Sequence, residues 1–384
     1  MSAALDRRIR VYPRIAIGVV AVLLPVWWLL GDGWIDPAGK PVGGDYAALY
    51  TAGRMALEGV AAAAWDVNAH HPAMVAVLGG EVARLPFHYA PPLQLALALF
   101  ATVPYGAALA LWLSAGLAAW VAPLRMLRVD AREAGLLAAS PAVLEGVLHG
   151  QTGGFVAALL GCGMLLVERR PWLGGALLGG LLFKPQYLAA PLFALLLARQ
   201  GRALLAVAIS VLAQALLCAV VLGPDVWSAF AHNVPFATRV LMEGGVDWWK
   251  LTTVTAGALQ LGATPSVARW AQASVSVTAI SAAAILWATG RGKGGAAAVW
   301  TAALLASPFA FGYDWMLLAP ALLTVWRMLP DAGVSRTVCI VALVACWLAP
   351  LLHQGLAVIG VPLFGPLALG LLLAAITRIE RRAP

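Results

Sequence analysis

Apolar residues in this chain come in blocks separated by short polar turns, and block length sets what each block can become. A helix crosses a bilayer with about 20 apolar residues, and about 17 is the lower limit. Residues 14–30, 105–124, 203–222, 266–288, 295–311, 336–352 and 356–376 meet that limit. Blocks 134–148, 153–167, 172–183 and 187–198 are shorter and predict two interrupted hairpins; block 315–328 returns after 295–311. Hairpin turns below the membrane surface must line water or protein, because non-helical backbone is not tolerated against lipid. Residues 31–104 and 223–265 read as two large outer loops. Within the first, 45–58 and 68–80 have the pattern of short amphipathic helices lying on the membrane surface. Block 91–103 is too short to span and predicts a re-entrant or interfacial helix on the outer side. The pattern gives an all-α polytopic membrane protein with about twelve crossings and both termini inside.

Composition supports this reading. Only 11% of residues are charged and 62% are hydrophobic, whereas soluble domains carry about 25% charged residues. One integral membrane domain, residues 1–384, follows, with no soluble domain or linker. Basic residues outnumber acidic ones, 25 to 17. They fall in short turns: Arg125, Arg128 and Arg132; Arg169 and Arg170; Arg199 and Arg202; Arg291 and Lys293; Arg378, Arg381 and Arg382. That is the positive-inside pattern, so the basic balance reflects topology and excludes nucleic acid as a partner. Arg7, Arg8, Arg10 and Arg14 precede the first block with no small-x-small cleavage site, which predicts a retained anchor with a cytoplasmic N-terminus. Cys162, Cys218, Cys339 and Cys346 lie in apolar blocks at no metal-binding spacing and read as core residues.

The polar turns that interrupt apolar blocks all fall on one side. They are Gly43 to Arg54, Phe87 to Pro92, His149-Gly150-Gln151, Lys184-Pro185-Gln186 and Gly312-Tyr313-Asp314. Their convergence predicts one polar cavity at the outer leaflet, roofed by the two long loops. Lys184 is the sharpest signal. A lysine at membrane depth costs up to roughly 3 kcal/mol on insertion scales and marks function by default; a snorkelling lysine is the plain alternative. It lies on the side where positive charge is disfavoured, and an anion there would satisfy it. Asp45 follows two glycines at the start of an amphipathic run, where it is either a helix cap or a reactive carboxylate. Asp314 has the same two readings ahead of Trp315. Gln151 reads as a turn-satisfying amide or a site residue, and Tyr89 as an interfacial or a site aromatic. His71, His88 and His232 show no metal-binding spacing, and no phosphate-binding Gly-x-x-x-x-Gly-Lys-[Ser/Thr] motif occurs.

These motifs form an ordered set. Gly44-Asp45-Tyr46 is followed by Tyr50, Ala52-Gly53-Arg54, Glu58-Gly59 and Trp65-Asp66. Tyr89-Ala90-Pro91-Pro92, Gly150-Gln151, a glycine-rich helix leading to Phe183-Lys184-Pro185, and Tyr313-Asp314 come after. From about residue 40 to 320 the chain resembles glycosyltransferase family 87, the bacterial polyprenyl-phosphate-mannose-dependent mannosyltransferases of the type C membrane fold. The resemblance implies an inverting transferase in the bacterial cytoplasmic membrane, with its active site on the extracytoplasmic face. The donor would be a polyprenyl-phosphate sugar and the acceptor a lipid or glycan hydroxyl, with no nucleotide needed; the residues themselves suggest no cofactor and no metal-binding cluster. The early aspartate, Asp45, would be the general base. The family often carries a histidine before the later Tyr-Asp, where this chain has Gly312, so no role transfers to that position.

The residues fit that chemistry. A sugar leaves a phosphate readily if a cation meets the phosphate charge; Lys184, with Arg54 or Arg239, is placed to supply one. Tyr46, Tyr89, Gln151, Gln186, Tyr313 and Asp314 are the candidate substrate contacts. Two other classes fit the same pattern: a secondary transporter with broken helices around a central polar site, and a non-catalytic partner in envelope assembly, for which Asp45 and Lys184 would be dispensable.

Overall fold

A computed structural model describes residues 3–290 and 294–380, which form helices and turns without a strand. Five helices among them are long and apolar enough to cross a membrane: Val11–Leu29, Tyr105–Met126, Gly201–Leu222, Pro265–Ala288 and Gly333–Val358. In chain order the helices are α1 (Ala3–Leu29), α2 (Tyr46–Leu57), α3 (Val67–Leu78), α4 (Pro91–Phe100), α5 (Tyr105–Met126) and α6 (Ala131–Ala138). Then come α7 (Pro141–Leu148), α8 (Gly153–Leu166), α9 (Pro171–Gly179), α10 (Ala189–Leu197), α11 (Gly201–Leu222) and α12 (Asp225–Met242). The last are α13 (Val254–Gln260), α14 (Pro265–Ala288), α15 (Gly294–Leu305), α16 (Ala319–Arg327), α17 (Gly333–Val358) and α18 (Phe364–Glu380).

Prolines set the short pieces. Pro91, Pro141 and Pro171 open α4, α7 and α9, where a missing N–H costs nothing. Residues 134–148, expected as one arm, split into α6 and α7 because Pro141 holds Ser140 extended. Lys184 is held out of the α region by Pro185 and stands between two 3₁₀ turns, Gly180–Phe183 and Pro185–Leu188. Gly312-Tyr313-Asp314, expected as a turn, opens a 3₁₀ segment, Gly312–Leu318. The second long loop contains α12, a further 3₁₀ turn Trp248–Lys250, and α13.

The core gathers around α15, all of whose residues are buried. A helix apolar on every side belongs in the interior, and Trp300 anchors it by donating to Leu160 O at 3.3 Å. Small residues bring the neighbouring helices close. A Cβ on Gly175 of α9 would meet Ala203 O of α11 at 2.3 Å, and one on Gly154 of α8 would meet Gly116 O of α5 at 2.2 Å.

One expectation is corrected here. α2 does not lie on a surface, because all of Tyr46 to Gly53, and Met55, are buried. α3 does keep a one-sided pattern, burying His70, Met74 and Leu78. The polar turns and the basic turns sit at opposite ends of α5. Its first residue, Tyr105, donates to Val42 O beside the glycines, and its last turn reaches Arg125. Its 22 residues span about 33 Å. At the basic end Arg327 binds Glu133 and the carbonyls of Leu127 and Arg128. Arg291, Lys293, Arg381 and Arg382 lie outside the described residues, as do the side chains of Arg7, Arg8 and Arg10.

Candidate active site

Two glycine-bearing turns make the site. Gly43 and Gly44 have positive φ of 82° and 58°, and Gly150 has φ 55°, values that glycine adopts without strain. A Cβ on Gly44 would lie 2.9 Å from His149 Cα, and one on Gly150 would lie 2.5 Å from Tyr46 Cβ. The turns before α2 and after α7 therefore touch backbone to backbone. Trp112 of α5 ties the second one down, donating to Gly150 O at 2.8 Å.

That contact brings Asp45 to Gln151. Gln151 Nε2 donates to Asp45 Oδ2 at 2.8 Å, and Gln151 Oε1 accepts from Tyr89 Oη at 2.6 Å. A carboxylate on one side and a phenol on the other orient the amide. Asp45 precedes α2 but makes no side-chain cap bond, so the capping alternative is not what this structure contains. Its side chain is 34% exposed, and His149 Nδ1 stands 4.0 Å from its Oδ2. The phenol comes from the irregular segment before α4, held at two adjacent residues: Trp65 Nε1 donates to Tyr89 O at 3.0 Å, and His88 Nδ1 donates to Asn233 Oδ1 of α12 at 2.8 Å. Burial pushes the His88 imidazole below its ordinary value.

The Tyr89 ring also covers Lys184, whose Nζ lies 5.4 Å from its centre. Nζ is 5.4 Å from the Tyr313 ring and 5.8 Å from the Tyr187 ring, within cation–π range. Its counter-charge is Asp314, whose Oδ1 accepts from Nζ at 2.7 Å in a pair with both side chains buried. An anion was expected to satisfy this lysine, and one lies within the chain itself, 130 residues away in sequence. Asp314 Oδ2 reaches back to the Phe311 N–H at 3.1 Å, so it also closes the first turn of its own 3₁₀ segment.

The structure thus joins Asp45, Gln151, Tyr89, Lys184, Tyr313 and Asp314, and leaves four candidates outside. Arg54 lies in the last turn of α2 and pairs with Glu58 at 2.9 Å. Arg239 is exposed on α12, without an ion pair among the described residues. Tyr46 faces the core among Tyr50, Tyr105 and Trp112, and burial pushes its phenol up. Gln186 is half-buried without a hydrogen bond among the described residues. Tyr187 was missed as a site residue, although its position three residues after Lys184 puts it one turn away on the same face.

One amide and one phenol thus link a partly exposed carboxylate to the ring that covers a buried lysine, within a helical membrane protein. A family model described as glycosyltransferase family 87 matches residues 87–308, more than half of the chain, and the chain belongs to that family. It is a membrane glycosyltransferase, which decides between the enzyme and transporter readings. The matched stretch contains Tyr89, Gln151 and Lys184; Asp45, Tyr313 and Asp314 lie outside it and join the site by geometry alone. Neither a curated protein nor a solved structure matches the chain.

Proposed function

We propose that this chain moves a sugar, mannose, from a polyprenyl-phosphate donor to a hydroxyl of an extracytoplasmic lipid or glycan acceptor, with inversion at C1. The observation that carries the reading is the hydrogen-bonded line Asp45–Gln151–Tyr89, which ends on the ring covering Lys184. Asp45 takes the acceptor proton as the acceptor oxygen bonds to C1. The C1–O bond to phosphate breaks on the opposite face, and the leaving polyprenyl phosphate keeps the electron pair. Lys184 spends one donor on Asp314 and has two further N–H groups for phosphate oxygens. Asp314 and the three rings hold the ammonium in place, so little reorganisation is needed as charge develops. The short helices α7 to α10, around the Gln151 and Lys184 breaks, with α15, α16 and α18, bring the five long spans to about twelve crossings of a type C arrangement, in a bacterial cytoplasmic membrane with the site facing outward.

Membranes containing the protein, offered a panel of radiolabelled polyprenyl-phosphate sugars, test this. Label should move from polyprenyl-phosphate mannose without any nucleotide sugar, and the product anomer should be opposite to the donor's. Transfer only from a nucleotide sugar, or retention of configuration, would end the proposal.

A further inference from the structure

We infer that Asn233 of α12 is a positioning residue: through Trp65 and His88 it sets the place of the Tyr89 phenol, and with it the Gln151 amide that orients Asp45. For its effect on rate the inference rests on the proposed transfer; for its effect on Tyr89 it rests on geometry alone.

Tyr89 is the starting point. Its Oη donates to Gln151 Oε1 at 2.6 Å and its ring covers Lys184, so it touches both halves of the site. Secondary structure does not fix it. It ends a stretch, residues 80–89, that has neither helix nor strand and makes no backbone–backbone hydrogen bond among the described residues. The first such bond beyond it, from Ala90 N–H to Phe183 O, is long at 3.5 Å. A segment without a backbone ladder stays where its side chains are held.

Asn233 is what holds them. Its Oδ1 accepts from His88 Nδ1 at 2.8 Å, and its Nδ2 donates to Trp65 O at 3.1 Å. Trp65 Nε1 in turn donates to Tyr89 O at 3.0 Å. One buried amide therefore closes a ring that runs from Asn233 to Trp65, on to Tyr89, back along the chain to His88 and again to Asn233. The amide has one orientation. Trp65 O can only accept, so the NH₂ faces it and the carbonyl faces His88, which must carry a proton on Nδ1. Packing follows the same line. Phe230 and Phe236 stand three residues to either side of Asn233, on one face of α12. Their rings lie 6.2 Å from those of Trp65 and His88, respectively. Phe87 is buried between Trp65 and Tyr89, at 5.4 Å and 5.8 Å. Without the amide, His88 Nδ1–H and Trp65 O lose their partner, and a stretch with no other bonds can move to satisfy them. The second outer loop thus reaches Asp45 through Asn233, and not through the exposed Arg239.

Fluorine NMR of the full chain in lipid nanodiscs, with its seven tyrosines replaced by 3-fluorotyrosine, reads the place of Tyr89 without any substrate. Tyr89→Phe assigns the resonance. Asn233→Leu should shift or broaden the Tyr89 line and leave that of Tyr12 on α1 in place. His88→Leu should do the same, and serves if Asn233→Leu does not fold. His88→Asn, whose amide can donate from the place of Nδ1, should restore the line. Turnover of polyprenyl-phosphate mannose is the second readout. Asn233→Leu should lower it about 10–10²-fold, but at most about threefold in a Tyr89→Phe background, because the loss acts through the phenol. A Tyr89 line unmoved in the folded Asn233→Leu or His88→Leu protein is the signature of a tie that only fastens α12 to the core, and overturns the inference. So do losses that multiply in full in the double variant. Wild-type protein that consumes no polyprenyl-phosphate sugar ends the transfer reading instead, and the fluorine spectra still decide whether Asn233 places Tyr89.

Discussion

Replacing Lys184 by methionine should do more than remove a candidate phosphate ligand: it strands Asp314. The two charges are 2.7 Å apart with side-chain exposures of 7% and 2%. At an effective dielectric of about 20 their attraction is about 6 kcal/mol, and desolvation of the two ions costs several kcal/mol each. The intact pair is therefore near balance, and its three ring contacts add about 0.5–2 kcal/mol apiece. Removing one partner leaves the desolvation cost without the attraction, so Lys184→Met and Asp314→Leu should each destabilise by about 3–5 kcal/mol. The double variant should recover most of that loss, because two apolar groups of similar volume replace the pair. Activity should not recover with stability, since the double variant still lacks the cation. The assay pairs thermal and denaturant unfolding of purified protein with turnover of polyprenyl-phosphate mannose. A Lys184→Met protein within about 1 kcal/mol of wild type would mean that water reaches the pair. A stable double variant with wild-type turnover would remove Lys184 from the mechanism.

Three further outcomes follow from the same geometry. Asp45→Asn keeps size and can still bond to Gln151, so stability should change by about 1 kcal/mol or less while turnover falls about 10²–10⁴-fold; retention of more than a tenth of the activity would put the base elsewhere, with Asp314 next to be tested. Gly150→Ala should cost on the order of 2–4 kcal/mol by combining positive φ with a Cβ 2.5 Å from Tyr46 Cβ, and should lower turnover by parting Asp45 from Gln151; Gly59→Ala, where φ is 79° and nothing lies within 4 Å, is the control and should cost only about 1–2 kcal/mol. Burial holds the His70 imidazole down at about 4 from its ordinary 6.5 while Nε2 donates to Ala48 O. The unfolded chain therefore takes up that proton first, and stability present above pH 6.5 declines towards pH 4 by on the order of 3 kcal/mol; His70→Gln should flatten that part of the unfolding profile, and an unchanged slope would refute it.

Hydrophobic periodicity alone determined the helical membrane class, and block length marked 91–103 as too short to span; the structure has a ten-residue helix there. The break at Lys184 was equally legible, because a proline restricts the residue before it wherever the chain goes. Motif order carried the family, since order survives without any knowledge of contacts.

What periodicity reports is how much each segment needs to bury, not against what. α2 read as a surface helix because tyrosine, threonine and arginine punctuate it, yet Tyr50 donates to Val103 O and Thr51 to Ala47 O, so those polar groups are satisfied inside. Arg54, a candidate phosphate ligand by sequence, pairs with Glu58 one turn on, with both side chains partly exposed. Asp45 meets Gln151 across 106 residues and Lys184 meets Asp314 across 130. No local rule connects such pairs: they form because glycine lets two turns touch and because a buried charge persists only beside its opposite, and both conditions are met only once the helices have packed.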